Sequence, residues 1–278
     1  MPALEETACL GLLHGLTEFL PISSDGHVAL AETLLDLGGG GTGGLSGAER
    51  LTLHACLRVG SLLAALVYFR ARIADIAVEL WHCLRSSQLP RAGGPGGDAV
   101  ILLCSSVPTG LLGLALQPVL LQWQARPLAI GFGFIVTALL LTSTLWARPG
   151  SRSSISLSGA ALLGVAQGLA CLPGLSRSAA NLTTLSWLGV RPERAFELAM
   201  LATLPASLGT LGLQLWAADG PAQPALPLVL GAAAAFGAGL LGLALMRRLV
   251  ARSLLPWLSL WMLPVALATL ALAKAWPR

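Results

Sequence analysis

The residues best able to do chemistry fall in two short polar runs, one near the start of the chain and one past its middle. The first reads His14-Gly-Leu-Thr-Glu-Phe-Leu-Pro21-Ile-Ser-Ser24 and runs on to Asp25 and His27. The second reads Gln167-Gly-Leu-Ala-Cys-Leu-Pro173-Gly-Leu-Ser-Arg-Ser178. A serine becomes a nucleophile only beside a base or in a strong local field. Ser24 and His27 are three residues apart, on one face of a helix if Ser24 opens it, so His27 could supply or relay the proton. His14 and Glu18 stand one turn apart and can face the same space, to hold a divalent ion, to move a proton, or to pair with Arg177. Asp25 is a further ligand or part of the helix cap. Arg177, between Ser176 and Ser178, offers a planar fork suited to phosphate oxygens. Together these groups describe phosphoryl transfer.

The elements that must position them lie in a membrane. Of the 278 residues, 55% are hydrophobic and only 11% charged, at a mean hydropathy of +0.77. A soluble domain carries about 25% charged residues, so this composition implies an all-α polytopic membrane protein. The net charge of +4 with no basic run excludes nucleic acid as a partner. The five cysteines sit in apolar runs without zinc spacing and are expected as small buried hydrophobes.

A spanning helix needs roughly 20 apolar residues. Six stretches qualify, about 51–69, 98–118, 126–147, 193–217, 226–246 and 254–275. Regions 3–37 and 155–190 are each interrupted by Pro, Gly and Ser and are expected as re-entrant helical hairpins. Gly38–Gly44 and Gly93–Gly97 are expected as exposed loops. Arginine concentrates in the segments after the first, third and fifth stretches and before the fourth, whereas 119–125 and 218–225 lack basic residues. The positive-inside rule then puts the Arg-rich segments in the cytoplasm, so the hairpins enter from opposite sides. Two related units of opposite sense make an inverted repeat, about 1–148 and 149–278, within a single membrane domain. Pro21 and Pro173 should break the incoming helices. Ser23 or Ser24 would then cap a helix over about 24–36, and Ser176 or Ser178 one over about 178–189. Two helix N-termini facing one central space favour an anion.

Arg58 and His54 share a face of the first span, where Arg58 meets a diphosphate head group or snorkels to the outer interface. Glu193, Arg194 and Glu197 are expected to pair at the surface. Trp81, Trp123, Trp146, Trp216 and Trp276 are expected as interfacial anchors.

On these motifs, and on the stretch from Val59-Gly60 to Tyr68-Phe69-Arg70, the chain resembles the undecaprenyl-diphosphate phosphatase (bacitracin-resistance) family of bacterial membranes. The resemblance implies removal of the terminal phosphate of undecaprenyl diphosphate, which regenerates the lipid carrier for peptidoglycan synthesis. It also implies a multi-pass protein of the inner membrane, a site open to the periplasm, a divalent cation and a possible homodimer. Carried onto matching positions, Ser24 is the nucleophile, His27 its acid/base partner and Glu18 the second acidic residue. Ser176 and Arg177 form the phosphate clamp. From their placement in the sequence, Ser23, Ser178, Asn181 and Arg58 are expected as further substrate contacts. Four positions depart from the family pattern: His14 replaces Glu or Gln, Asp25 replaces Thr, and Ala179 and Asn181 replace Gly and Thr. With Glu18, His14 and Asp25 as ligands, the ion is Mg²⁺ or Ca²⁺ by resemblance, or Mn²⁺ or Zn²⁺ given the softer imidazole. A polyprenyl-phosphate transporter and an inactive lipid-binding homologue are the alternatives; only an enzyme requires Ser24 with His27.

The Arg distribution yields a topology test. Cys83, in a version whose other cysteines are replaced, should resist impermeant thiol reagents added to intact cells. Labelling from outside would invert the orientation.

Overall fold

The computed structural model describes residues 4–37, 46–86, 90, 93–123, 126–148, 150–217 and 225–274. Those residues form an all-helical body without a named strand. Its one extended pairing is a single bridge between Arg152 and Val190. The helices are α1 (Leu4–Phe19), α2 (Ser24–Leu37), α3 (Gly47–Tyr68), α4 (Arg70–Ser86), α5 (Pro95–Ala115) and α6 (Gln117–Trp123). There follow α7 (Pro127–Ser143), α8 (Leu157–Leu169), α9 (Arg177–Trp187), α10 (Pro192–Ala217), α11 (Ala225–Ala251) and α12 (Ser259–Ala271). Among the described residues five helical segments are long and apolar enough to cross a membrane: α3, α5, α7 with its 3₁₀ extension to Trp146, α10 and α11. The sixth stretch forms one shorter apolar helical run, Leu255–Ala271. A 3₁₀ turn over Leu255–Leu258 precedes α12, with Pro256 near the start of that turn and Pro264 inside the helix. Pro256 lies in the first turn of that run, where its missing donor is not needed.

The outer surface is apolar: Leu103, Val107 and Leu111 on α5, Phe132 and Leu139 on α7, and Leu241 on α11 are all exposed. Polar groups gather inside, including Glu32, Arg58, Asp98, Gln167 and Arg194. This inverted distribution is that of a multi-pass membrane protein, whose solvent is hydrocarbon. Of the free cysteines, Cys9 is exposed and the other four are half-buried, so none is the fully buried small hydrophobe expected.

Packing is set by small residues. Helices α1 and α3 press against α11, and α8 against α5, with α7 against α12 and α3 against α10. A side chain at Gly15 would collide with the carbonyl of Ala235, and one at Gly164 with the carbonyl of Ser105. Such close backbone approach between helices in lipid relies on residues without bulk.

Several expectations are revised. Gly38–Gly44, Trp276 and most of 218–225 lie outside the described residues. The Gly93–Gly97 stretch is not an open loop, because Pro95 starts α5 and Gly96 and Gly97 are buried in its first turn. Pro suits the first helical position, where the missing donor is not needed. Most of 119–125 is helical, in α6. Helix α4 has no buried residue and was not anticipated; its Arg85 lies over the Trp81 ring.

Arg194 is the clearest reversal. It is buried, and with Arg72 it binds both oxygens of the fully buried Asp98, while Glu197 accepts from Arg194 at 2.6 Å and pairs with Arg72 at 3.0 Å. The expected surface pair is part of an interior network joining α4, α5 and α10.

Gly15→Val and Gly164→Val should each destabilise the protein, by roughly 1–3 kcal/mol for overpacking. Gly113→Val, where an added carbon meets nothing, should be near neutral. Thermal unfolding in detergent compares the three.

Candidate active site

Both polar runs form hairpins, and their tips meet. Helix α1 ends at Phe19, just before Pro21, and α2 begins at Ser24. Ser23 between them has φ of +69°, a left-handed conformation that costs a non-glycine residue about 1 kcal/mol or more. Helix α8 ends at Leu169, before Pro173, and α9 begins at Arg177 after Gly174, which has φ of +77°. Helix α7 supports both tips. Thr137 donates to the Gly174 carbonyl and accepts from the Ser176 amide, each at 3.1 Å, while the buried Phe134 ring lies 5.1 Å from the His27 ring. Ser178 joins the tips, its hydroxyl donating to the carbonyls of Glu18 at 3.3 Å and Leu20 at 3.4 Å. These carbonyls lie at the end of α1, where the helix no longer supplies donors.

At the junction Ser24 donates to Glu18 Oε2 at 2.5 Å, and Arg177 Nη2 donates to Glu18 Oε1 at 2.9 Å. The other arm of Arg177 reaches Ser207 on α10 at 3.3 Å. Arg58 enters from α3. Its Nη2 donates to Asp25 at 3.0 Å and its Nε to Gln214 at 3.2 Å, and its Nη1 lies 3.8 Å from Glu18 with no hydrogen-bond partner. Arg58 is only 3% exposed, so it does not snorkel, whereas the Asp25 side chain is 62% exposed at the mouth. From Glu18 a small cavity runs inward past Ser61, Leu62, Thr203 and Ser207.

The structure thus gathers Ser24, Glu18, Arg177, Arg58 and Asp25, and it assigns other duties to the remaining expected residues. His27 does not meet the Ser24 hydroxyl. Trp261 Nε1, which can only donate, binds His27 Nε2 at 3.1 Å. His27 Nδ1 therefore carries the proton and donates to the Ser23 carbonyl at 2.9 Å. This histidine braces the strained turn that presents Ser24. Ser176 caps α9 by accepting from the Ala179 amide at 3.2 Å, as the sequence predicted. Asn181 is fully buried and donates to Gln167 at 2.6 Å and to the Ala199 carbonyl at 3.3 Å, tying α8, α9 and α10 away from the mouth. His54 pairs with Glu32 at 2.8 Å rather than with Arg58.

The donor arrangement does not fit a divalent ion held by Glu18, His14 and Asp25. Among the described residues no group of three His, Cys, Asp or Glu side chains converges on one point. His14 Nε2 lies 3.4 Å from the Ser61 hydroxyl, and the Arg58 guanidinium bridges Glu18 and Asp25. Sequence reasoning missed Gln214, Ser207 and Trp261, which come from helices distant in the chain and carry no motif.

Similar proteins place this geometry in a family. The model of the bacitracin resistance protein BacA family matches residues 7–268. An undecaprenyl-diphosphatase of Korarchaeum cryptofilum is 30% identical over 275 residues, covering 97% of this chain and 99% of that one. Undecaprenyl-diphosphatases of Salinibacter ruber and Dinoroseobacter shibae are each 34% identical, covering 84% and 87% of this chain and 86% and 88% of theirs. The chain belongs to the bacitracin resistance protein BacA family.

Proposed function

We infer that this protein is an undecaprenyl-diphosphate phosphatase, which releases the terminal phosphate of the lipid diphosphate and returns undecaprenyl phosphate. One observation carries the reading: Ser24, at the start of a helix, donates a short hydrogen bond to a carboxylate that is itself ion-paired with Arg177. In the first step the Ser24 oxygen bonds to the terminal phosphorus as the bridging P–O bond breaks. The serine proton passes to Glu18, and the lipid monophosphate leaves. Water then attacks the phosphoserine; as the Ser24 O–P bond breaks, Glu18 returns the first proton to the Ser24 oxygen, takes one from the water and releases it to solvent, and orthophosphate departs. Arg177 and the free backbone donors at the starts of α2 and α9 stabilise the equatorial oxygens, as phosphoryl transfer requires. His27 positions the tip and takes no proton. A transporter would not need Ser24 activated in this way.

The proposed architecture is an inverted repeat with six crossings, the last over Leu255–Ala271, and re-entrant hairpins α1–α2 and α8–α9. It is supported by reciprocal packing, α1 on the second long helix of the other half and α8 on its counterpart. It is supported also by hairpin length: the 16 residues of α1 and 13 of α8 span about 24 and 20 Å at 1.5 Å per residue. Both fall short of a hydrocarbon core of about 30 Å. With the Arg-rich segments cytoplasmic, the site opens to the periplasmic side of the inner membrane.

Phosphate release from undecaprenyl diphosphate by the purified protein tests the activity. Ser24→Ala should lower turnover by up to roughly 10⁶-fold, the scale of a lost nucleophile, and Glu18→Gln by roughly 10²–10⁴-fold, the range of a general base. Arg177→Lys should cost about 10²-fold, because an ammonium cannot reproduce the fork.

A second comparison separates Glu18 from His27 as the base. His27→Asn keeps a donor towards the Ser23 carbonyl and should stay within about ten-fold of the parent, a smaller loss than removing a group that transfers a proton. If His27→Asn matches Glu18→Gln in its loss, the imidazole takes the serine proton and the assignment of Glu18 fails.

A further inference from the structure

We propose that Arg58 is a built-in cation: its guanidinium, held between the Glu18 and Asp25 carboxylates, takes the place of a divalent ion in this site. The proposal deepens the phosphatase reading, on which it rests for its substrate.

Three observations carry it. The first is position. Arg58 Nη2 lies 3.0 Å from Asp25 and Nη1 lies 3.8 Å from Glu18, so one guanidinium spans the two carboxylates that an ion would bridge. The third expected ligand, His14, is buried and turned to Ser61. The second is charge. Glu18 and Asp25 face Arg58 and Arg177, two negative groups against two positive ones, so the site is balanced before any ion arrives. A divalent cation would have to displace a guanidinium and sit beside another, in surroundings where like charges repel strongly.

The third observation is an unused donor. Burying an arginine within a spanning helix is costly, and such a residue is ordinarily paired on all sides. Arg58 is fixed by Gln214 through Nε and by Asp25 through Nη2, yet Nη1 has no hydrogen-bond partner. That donor, beside Glu18, can take a phosphate oxygen without breaking a bond already made. With Arg177 the site then offers two guanidiniums to a diphosphate, one for each phosphate. Guanidinium neutralises and orients phosphate oxygens as an ion does, but it does not acidify water, so activation of the nucleophile falls to Glu18. Asp25, largely exposed, holds Arg58 in the empty site and can swing away when substrate enters.

The test strips the purified protein with EDTA and measures phosphate release from undecaprenyl diphosphate, with and without added Ca²⁺ or Mg²⁺. Binding of Mn²⁺ is followed in parallel by electron paramagnetic resonance. The parent should change less than about two-fold on stripping and bind no stoichiometric Mn²⁺, its carboxylates being already compensated. Arg58→Gln should fall about ten-fold or more in EDTA, regain turnover with added divalent ion, and acquire one Mn²⁺ site. Arg58→Lys, which keeps the charge but loses the fork, should turn over more slowly yet stay insensitive to EDTA. It decides the matter if Arg58→Gln does not fold. A parent that loses activity in EDTA and recovers with Ca²⁺ or Mg²⁺ overturns the proposal. A parent inactive under every condition overturns the phosphatase reading instead. The manganese titration then still decides, because stoichiometric binding to the parent rejects a built-in cation and binding only to Arg58→Gln supports it.

Discussion

The Glu18 carboxylate is the point on which the two halves of the chain close. It leaves the end of α1, accepts the Ser24 hydroxyl from α2 and the Arg177 guanidinium from α9, and has Arg58 of α3 at its side. An ionised group inside a low-dielectric body must be compensated, and removing one partner of such a pair is strongly unfavourable. The hairpin tips therefore cannot part without exposing charge to an apolar interior. Ser178 adds a neutral tie by serving carbonyls freed at the end of α1. The same bonds that hold the fold shut aim Ser24 at a proton acceptor.

A second ionic centre lies past the C-terminal end of α3. Asp98 is wholly buried, and Arg72 and Arg194 take its two oxygens while Glu197 completes the set. This network joins the start of α5 to the starts of α4 and α10, beside an aromatic cluster of Tyr68, Phe69 and Phe196. Elsewhere the helices rely on small residues, since lipid offers no hydrophobic drive for association. Gly11, Gly15 and Gly60 bring α1 and α3 onto the backbone of α11. Polar anchors and close packing together give a scaffold stiff enough to hold a strained residue, Ser23, at the site.

His14 and Asp25, both expected beside Glu18 as ligands, take separate partners. His14 is withdrawn to Ser61, and Asp25 is engaged by Arg58, so the two are not a matched pair of ligands. The imidazole of His27 is likewise spoken for at both nitrogens, by Ser23 and by Trp261 from the far end of the chain.

Much was legible in the sequence because lipid leaves few choices. Apolar length marks the membrane class, and Pro21 and Pro173 mark the breaks between helices. Those cues are local, and they led to the membrane class, the two hairpins, the cap at Ser176, and Glu18, Ser24 and Arg177. Partner choice was not legible. Whether Ser24 meets His27 or Glu18 depends on side-chain direction around a turn with φ of +69°, which spacing along a helix does not encode. That Arg58 bridges Glu18 and Asp25, that Arg194 is buried on Asp98 and that Asn181 braces helices all depend on contacts between residues far apart in the chain. The physical reason is that a buried charge takes whichever opposite charge the packing delivers, and packing is decided by the whole set of helices at once.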